Sequence, residues 1–326
     1  MLTDSYNRPI TYLRLSVTDR CQFRCVYCVP IEGIKNLPQE SQLSLGEIER
    51  LIRALAKMGV WRVRFTGGEP LLRPDILSLV ALSSTIPGIT DLALTTNGEY
   101  LADLAFDLKR FGLNRVNISL DSMKPERFKE LTCSRAFDKV WKGIHRSLEV
   151  GLKVKINVVV LKGISSAEID SFADLAFRFP LEVRFLEFMP LCGSAWKPEL
   201  FWPIEKVKSQ IAATYKMKAL DRGTEVAESF QLIGGKGRIG YIASMTEPFC
   251  SKCSRIRMSA DGKIQLCLFS PIQYDLLPAL RGGASLEEIQ QKISALVLKK
   301  PEKHPFSGEG VKRKEAAHGM MRAIGG

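Results

Sequence analysis

Between Tyr12 and Phe188 the chain repeats one pattern six times: a short apolar run that reads as a strand, then a loop, then a segment with helical spacing. Strands are expected at 12–17, 61–66, 91–96, 115–120, 153–161 and 181–188. The first helix is expected to open on the capping box Ser44-Leu-Gly-Glu47 and run to Met58, with Gly59 as its C-cap. Others are expected at 75–84, 101–111, 137–150 and 166–179. A strand–helix alternation with a repeat of roughly 30 residues leads to a parallel sheet or barrel with right-handed crossovers. The 326 residues suit two domains, or one large barrel with an extension.

The unusual residues fall just after strands. Three cysteines follow the first, Gly67-Gly68-Glu69-Pro70 the second, Asn97-Gly98 the third and Asp121 the fourth. Parallel sheets and barrels keep their chemistry at the C-terminal ends of their strands, so these four loops are expected to share one site.

The first cysteine group reads Cys21-Gln-Phe-Arg-Cys25-Val-Tyr-Cys28. A second, Cys250-Ser-Lys-Cys253 and, thirteen residues on, Cys267, follows the end of the repeat. Three ligands are one short of a closed zinc site or a saturated cubane, and the first spacing is not that of a zinc knuckle. A [4Fe–4S] cluster held by three thiolates keeps one iron open to a small molecule, by the logic that separates catalytic from structural metal sites. Zinc pooled from both groups is the competing assignment.

Composition narrows the partners. Lys and Arg number 47 against 35 Asp and Glu, a formal charge of +12, which suits an anionic partner: nucleic acid, a membrane surface or a polyphosphate. The amino-terminal residues lack the pattern of a secretory signal, no apolar run approaches a membrane span, and a cytoplasmic protein without a disulfide framework is expected. Cys133 and Cys192 are expected to be packing or surface thiols, and His145, His304 and His318 show no ligand spacing.

The C-x₃-C-x₂-C trio, with Tyr27 before its last cysteine and GGEP after the second strand, resembles the radical S-adenosylmethionine (SAM) superfamily. Further likeness runs almost end to end and is similar to the GTP 3′,8-cyclases of molybdenum-cofactor biosynthesis. It is carried by Tyr12-Leu-Arg14-Leu-Ser, Arg64-Phe-Thr-Gly-Gly-Glu-Pro, Thr95-Thr-Asn-Gly, Asn117-Ile-Ser-Leu-Asp121, Lys155-Ile-Asn157 and Arg184-Phe-Leu-Glu-Phe-Met189. In the C-terminal part it is carried by Cys250-x-x-Cys253-Ser-Arg255-Ile256-Arg257, Cys267 and the terminal Gly325-Gly326.

The resemblance implies an α/β fold, an incomplete (βα)6 TIM-like barrel over 5–228, with a C-terminal region over 229–326 that carries a second iron–sulfur cluster. It implies two [4Fe–4S] clusters, on Cys21, Cys25 and Cys28 and on Cys250, Cys253 and Cys267. The first binds SAM, whose reductive cleavage gives a 5′-deoxyadenosyl radical, and the second binds GTP through its guanine. Tyr27, Gly68, Ser119 and Met189 are expected against SAM, and Arg14, Arg64, Thr95, Lys155, Arg255, Ile256 and Arg257 around GTP. Arg14, Arg255, Arg257 and the tail Gly325-Gly326 form the expected catalytic set. Arginine suits a triphosphate because its planar fork matches phosphate oxygens. An electron donor is implied, as is delivery of the product to cyclic pyranopterin monophosphate synthase by a monomer or homodimer. No nucleic-acid or membrane partner is expected. Ser254 stands where the family commonly has Asn. A peptide or RNA substrate for the same radical chemistry, or a zinc-stabilised nucleic-acid-binding protein, are the competing functions.

Overall fold

The structure is a computed structural model that describes residues 1–28, 36–191 and 197–306. In chain order its elements are β1 (Tyr12–Ser16), α1 (Leu45–Lys57), β2 (Arg62–Thr66), α2 (Ile76–Ser84), β3 (Asp91–Thr96), α3 (Leu101–Arg110), β4 (Arg115–Ser119), α4 (Pro125–Thr132), α5 (Phe137–Glu149), β5 (Lys153–Val160), α6 (Ile169–Arg178) and β6 (Glu182–Glu187). Beyond them lie α7 (Ile204–Thr214), β7 (Met217–Ala219), β8 (Glu228–Leu232), β9 (Arg238–Ile242), β10 (Arg255–Met258), β11 (Lys263–Gln265), β12 (Tyr274–Asp275), α8 (Leu277–Arg281) and α9 (Leu286–Val297).

The six expected strands and five expected helices are present, most with ends moved by one or two residues. At the start of α1, Glu47 N–H donates to Ser44 Oγ at 3.3 Å and Ser44 N–H to Glu47 Oε2 at 2.7 Å. Gly59, at φ +97°, supplies the left-handed residue beyond its last turn. The helix expected from Ser166 starts instead as a 3₁₀ turn at Ser165–Glu168. Helix α4 is an addition: Pro125 opens it, where the missing N–H costs nothing, and it is only eight residues long.

All strands join one sheet in the order β12-β11-β10-β1-β2-β3-β4-β5-β6-β9-β8-β7. From β10 to β9 every pairing is parallel, so the C-terminal region adds a parallel strand to each edge of the six-strand set. Antiparallel pairs finish both edges.

Strand residues alternate between the two faces of the sheet. Leu13, Leu15, Val63, Phe65, Val116, Ile118, Ile156, Val158, Val183, Phe185, Ile239, Ile256 and Met258 share one buried cluster with the apolar faces of α1, α2, α3, α5, α6, α7 and α9. The other face carries Arg14, Arg64, Asn117, Asn157, Arg184 and Arg257. Parallel sheets are usually apolar on both faces. A charged face signals that it encloses a polar space instead of packing against a layer of helices. Among the described residues no helix is long and apolar enough to cross a membrane.

Candidate active site

Parallel pairing separates the two cysteine groups. Cys21, Cys25 and Cys28 follow the C-terminal end of β1, whereas Cys250 and Cys253 precede the start of β10, its parallel neighbour. Cys267 follows β11, which runs antiparallel to β10 with Gln265 opposite Arg257, and so returns to that same end. The trios therefore stand at opposite ends of the strands, each lining its own cavity.

The first cavity, about 1010 Å³ including its open mouth, brings together the loops after β1, β2, β3 and β6 and the ends of β4 and β5. Its cysteine loop is pinned from outside: Arg24 N–H donates to Thr132 O at 3.0 Å and Val26 N–H to Leu131 O at 2.9 Å. Phe23, buried, meets Phe128 edge-on at 5.9 Å. The next loop lies against it so closely that only glycine fits. Gly68 N–H donates to Thr18 O at 2.7 Å, and Glu69 N–H to Arg20 O at 2.7 Å. A Cβ on Gly67 would stand 2.2 Å from Thr18 O, and one on Gly68 2.1 Å from Arg20 O.

Two buried carboxylates brace this rim. Glu69 accepts from Leu71 N–H at 2.9 Å, Thr96 Oγ1 at 2.7 Å and Asn97 N–H at 2.7 Å, tying the GGEP loop to the Asn97 loop. Asp121 accepts from the Tyr27 hydroxyl and, at 2.7 Å, from Val159 N–H. Burial raises Asp121 to about 6 and Glu69 to about 7. Glu69→Gln should destabilise the fold by about 1–3 kcal/mol, because its amide must turn a donor toward one of these donors. The variant should also remove a pH slope. The folded protein holds the Glu69 proton up to about 7 against an ordinary 4.5, so this group's contribution to stability falls as pH rises across that window. Denaturation of wild type and variant on either side of it measures the difference.

The residues fit a metal cluster with a polar ligand beside it. Burial and then the neighbouring Cys28 push Cys25 well above the ordinary thiol range, a cost that a cationic centre binding all three sulfurs removes. Thr95 Oγ1 is buried with no hydrogen-bond partner and lines the same cavity, a donor awaiting an acceptor. Among the described residues no three His, Cys, Asp or Glu side chains converge closely enough to hold one ion.

The second cavity, about 1190 Å³, lies inside the charged face of the sheet. Six arginines line it, Arg14, Arg62, Arg64, Arg184, Arg255 and Arg257, against one lining carboxylate, Glu225. In register Arg257 pairs with Arg14 and Arg14 with Arg64, which sets three guanidinium groups in a row across β10, β1 and β2. Burial first, then the Arg257 charge, lowers Arg14 to about 9; burial, then Arg255, does the same to Arg257. Concentrated buried positive charge is an anion site. The Asn117 carboxamide, with its oxygen toward Arg64, accepts from Nη1 at 2.7 Å. At the cysteine end, burial opposes ionisation of Cys253, but Arg255 and Lys300 outweigh it and bring the thiol down to about 6. Lys300 Nζ is itself anchored by Arg255 O at 2.9 Å and Leu266 O at 2.5 Å. These thiols too suit a cationic centre.

The expected SAM residues Tyr27, Gly68, Ser119 and Met189 all line the first cavity. Arg14, Arg64, Arg255 and Arg257 line the second. Three expected GTP residues lie elsewhere. Thr95 lines the first cavity, because it stands nearer the C-terminal end of its strand. Lys155 pairs with Glu182 at 3.0 Å on the neighbouring strand. The Ile256 side chain is fully buried in the helix-facing cluster, since it alternates with the two arginines. Gly325 and Gly326 lie outside the described residues, as does Cys192. Cys133 is an exposed thiol at the left-handed end of α4. Sequence reasoning missed Arg62, Arg184, Glu225 and His304 as lining residues. Arg62 was accessible from its alternation with Arg64. Glu225 and His304 sit in irregular segments that carry no such signal.

Comparison with known proteins identifies the family. The radical SAM superfamily model matches residues 15–176, and a molybdenum cofactor synthesis C-terminal model matches 181–306. The chain is 41% identical to a GTP 3′,8-cyclase of Syntrophomonas wolfei over all of both chains. It is 43% identical to one of Thermodesulfovibrio yellowstonii, covering 92% of this chain and 95% of that one. It is 39% identical to the mitochondrial GTP 3′,8-cyclase of Arabidopsis thaliana, over 99% of this chain and 80% of that one. The fold is similar to that of SuiB from Streptococcus suis, with a TM-score of 0.62 at 15% identity over 95% of this chain and 76% of that chain.

Proposed function

The chain belongs to the GTP 3′,8-cyclases of the radical SAM superfamily, and from that premise we propose how its two cavities divide the work of converting GTP to (8S)-3′,8-cyclo-7,8-dihydroguanosine 5′-triphosphate. Cys21, Cys25 and Cys28 would hold one [4Fe–4S] cluster in the cavity that takes SAM, and Cys250, Cys253 and Cys267 would hold a second in the cavity that takes GTP. When bound, the first cluster and SAM supply the 5′-deoxyadenosyl radical that removes a hydrogen atom from carbon 3′. The observation that carries this reading is that Leu186 and Met189 line both cavities, so molecules in the two meet at those side chains.

The chain's own residues then have separable tasks. Tyr27, Gly68, Ser119 and Thr95 orient SAM, and Asp121 fixes the Tyr27 ring through its hydroxyl. Arg14, Arg64, Arg255 and Arg257 grip the triphosphate and ribose. The apolar side chains of Leu186 and Met189, shared by both cavities, line the radical's path. The architecture is read as an incomplete (βα)6 barrel over 5–228, its open side covered by 229–326; the placement of β9 and β10 at the two edges supports this. The enzyme is placed in the cytoplasm, takes electrons from a low-potential donor and passes its product to cyclic pyranopterin monophosphate synthase.

Anaerobic incubation with SAM, dithionite and GTP should yield 5′-deoxyadenosine and a nucleotide isomeric with GTP. The hydrogen atom taken from carbon 3′ is made good by one electron and one proton. Chromatography with fragment masses identifies the bond from sugar to carbon 8. Cleavage of SAM with GTP recovered intact would overturn the assignment.

A further inference from the structure

Glu225 stands between three cations. Its carboxylate lies 2.9 Å from Arg62 Nη1, 3.2 Å from Arg184 Nη2 and 3.9 Å from Lys155 Nζ. Each of those cations also has a strand carboxylate as partner, on the neighbouring strand for Arg62 and Lys155 and two residues away on the same strand for Arg184. Arg62 Nε is 2.8 Å from Asp91, Lys155 is 3.0 Å from Glu182, and Arg184 Nε is 2.6 Å from Glu182. The strand carboxylates are fixed by the sheet ladder and orient the cations. Glu225 is different: it comes from the segment joining β7 to β8, and of its three partners Arg62 and Arg184 line the cavity while Lys155 stands behind them on β5.

That segment is organised on its own. Arg222 donates through Nη2 to Val226 O at 2.6 Å and through Nε to Glu225 O at 3.3 Å, while Glu225 N–H donates to Arg222 O at 2.9 Å. The Glu225 backbone is therefore held by its neighbours, and the side chain is free of that duty. Beyond it lies a further cavity of about 800 Å³, including open solvent, lined by Arg222, Thr224 and Lys252. Glu225 lines both this outer space and the arginine cavity and forms part of the wall between them. A carboxylate leaving the arginines has room to turn outward.

We infer that Glu225 is a specificity-determining residue: its carboxylate holds the position of a substrate phosphate, and only a ligand carrying a polyphosphate displaces it. A carboxylate brings one negative charge to Arg62, Lys155 and Arg184. A terminal phosphate brings nearly two, with three acceptor oxygens, and replaces it at a gain. A ligand without phosphate leaves Glu225 in place. The proposal rests on the GTP reading only for the identity of the nucleotide.

The test is equilibrium binding to the reconstituted holoenzyme without oxygen, using GTP, inorganic tripolyphosphate and guanosine. Glu225→Gln should bind GTP and tripolyphosphate ~10-fold more tightly than wild type, because the closed, occupied state no longer competes. Guanosine affinity should not change. Glu225→Asp, with the charge kept but shortened by one methylene, should fall between the two and stands in if the glutamine variant fails to fold. Unchanged or weaker tripolyphosphate binding in these variants would overturn the proposal and make Glu225 a structural partner. Tighter tripolyphosphate binding with no GTP binding by any of the proteins would uphold the role of Glu225 and remove the GTP reading instead.

Discussion

Replacing Cys267 by alanine is expected to leave SAM cleavage within ~10-fold of wild type while cyclised nucleotide falls below detection, and replacing Cys21 by alanine is expected to abolish both. The asymmetry comes from topology. Cys21 follows the C-terminal end of β1, and Asn97 Nδ2 reaches toward its sulfur at 3.9 Å, so removing that thiol opens the cavity where Ser119 and Thr95 also point. Cys267 lies at the other end of the strands, in the arginine cavity with Arg14 and Arg257. Its links to the first cavity run through Leu186 and Met189, which line both cavities, and through the apolar cluster it shares with Met189 and Leu191.

Iron analysis gives an independent reading. The wild type should carry about eight irons and eight sulfides, and the Cys267 variant about half, if each trio holds one four-iron cluster. Equal loss of cleavage and cyclisation in both variants would defeat the division of labour. So would a wild type that, fully reconstituted, holds only about four irons.

The repeat, the cap of α1 and the loops of the first cavity were legible because each follows from local spacing. A parallel sheet brings consecutive loops to one end whatever the fine geometry, so the shared SAM-side cavity was implied before any coordinates. The second cavity was harder. Arg14 and Arg64 could be assigned as inward from alternation, but alternation also carries Ile256 outward into the apolar layer, and the motif Arg255-Ile256-Arg257 does not announce that split until β10 has a partner. Nor does local sequence say that β9 and β10, separated by twelve residues, lie at opposite edges of the same parallel set. The first trio stands at the C-terminal ends of the strands and the second at their opposite end. Thr95 and Lys155 show the remaining limit. Both face inward on their strands, yet depth along the strand and a neighbour's carboxylate decide which space each serves.

Arg257→Ala should weaken GTP binding at least ~30-fold and up to ~5 × 10³-fold, with SAM cleavage still measurable, because removing a buried charged partner of a phosphate costs about 2–5 kcal/mol. Arg257 is 4% exposed, and its place on β10 is set by pairing to Arg14 on one side and Gln265 on the other. A guanidinium held this firmly gives up little rotamer freedom when an anion arrives, so most of its interaction appears as affinity. Arg257→Lys should not restore binding, since a point charge on a flexible stem cannot reproduce a two-pronged contact. Thermal unfolding offers a second readout: GTP at a hundredfold excess over its dissociation constant should stabilise the wild type by about 2.7 kcal/mol, and the same concentration should do little for the alanine variant. Unchanged GTP affinity in Arg257→Ala would remove this residue from the site. With it would go the claim that the row of arginines across β10, β1 and β2 is where the triphosphate lies.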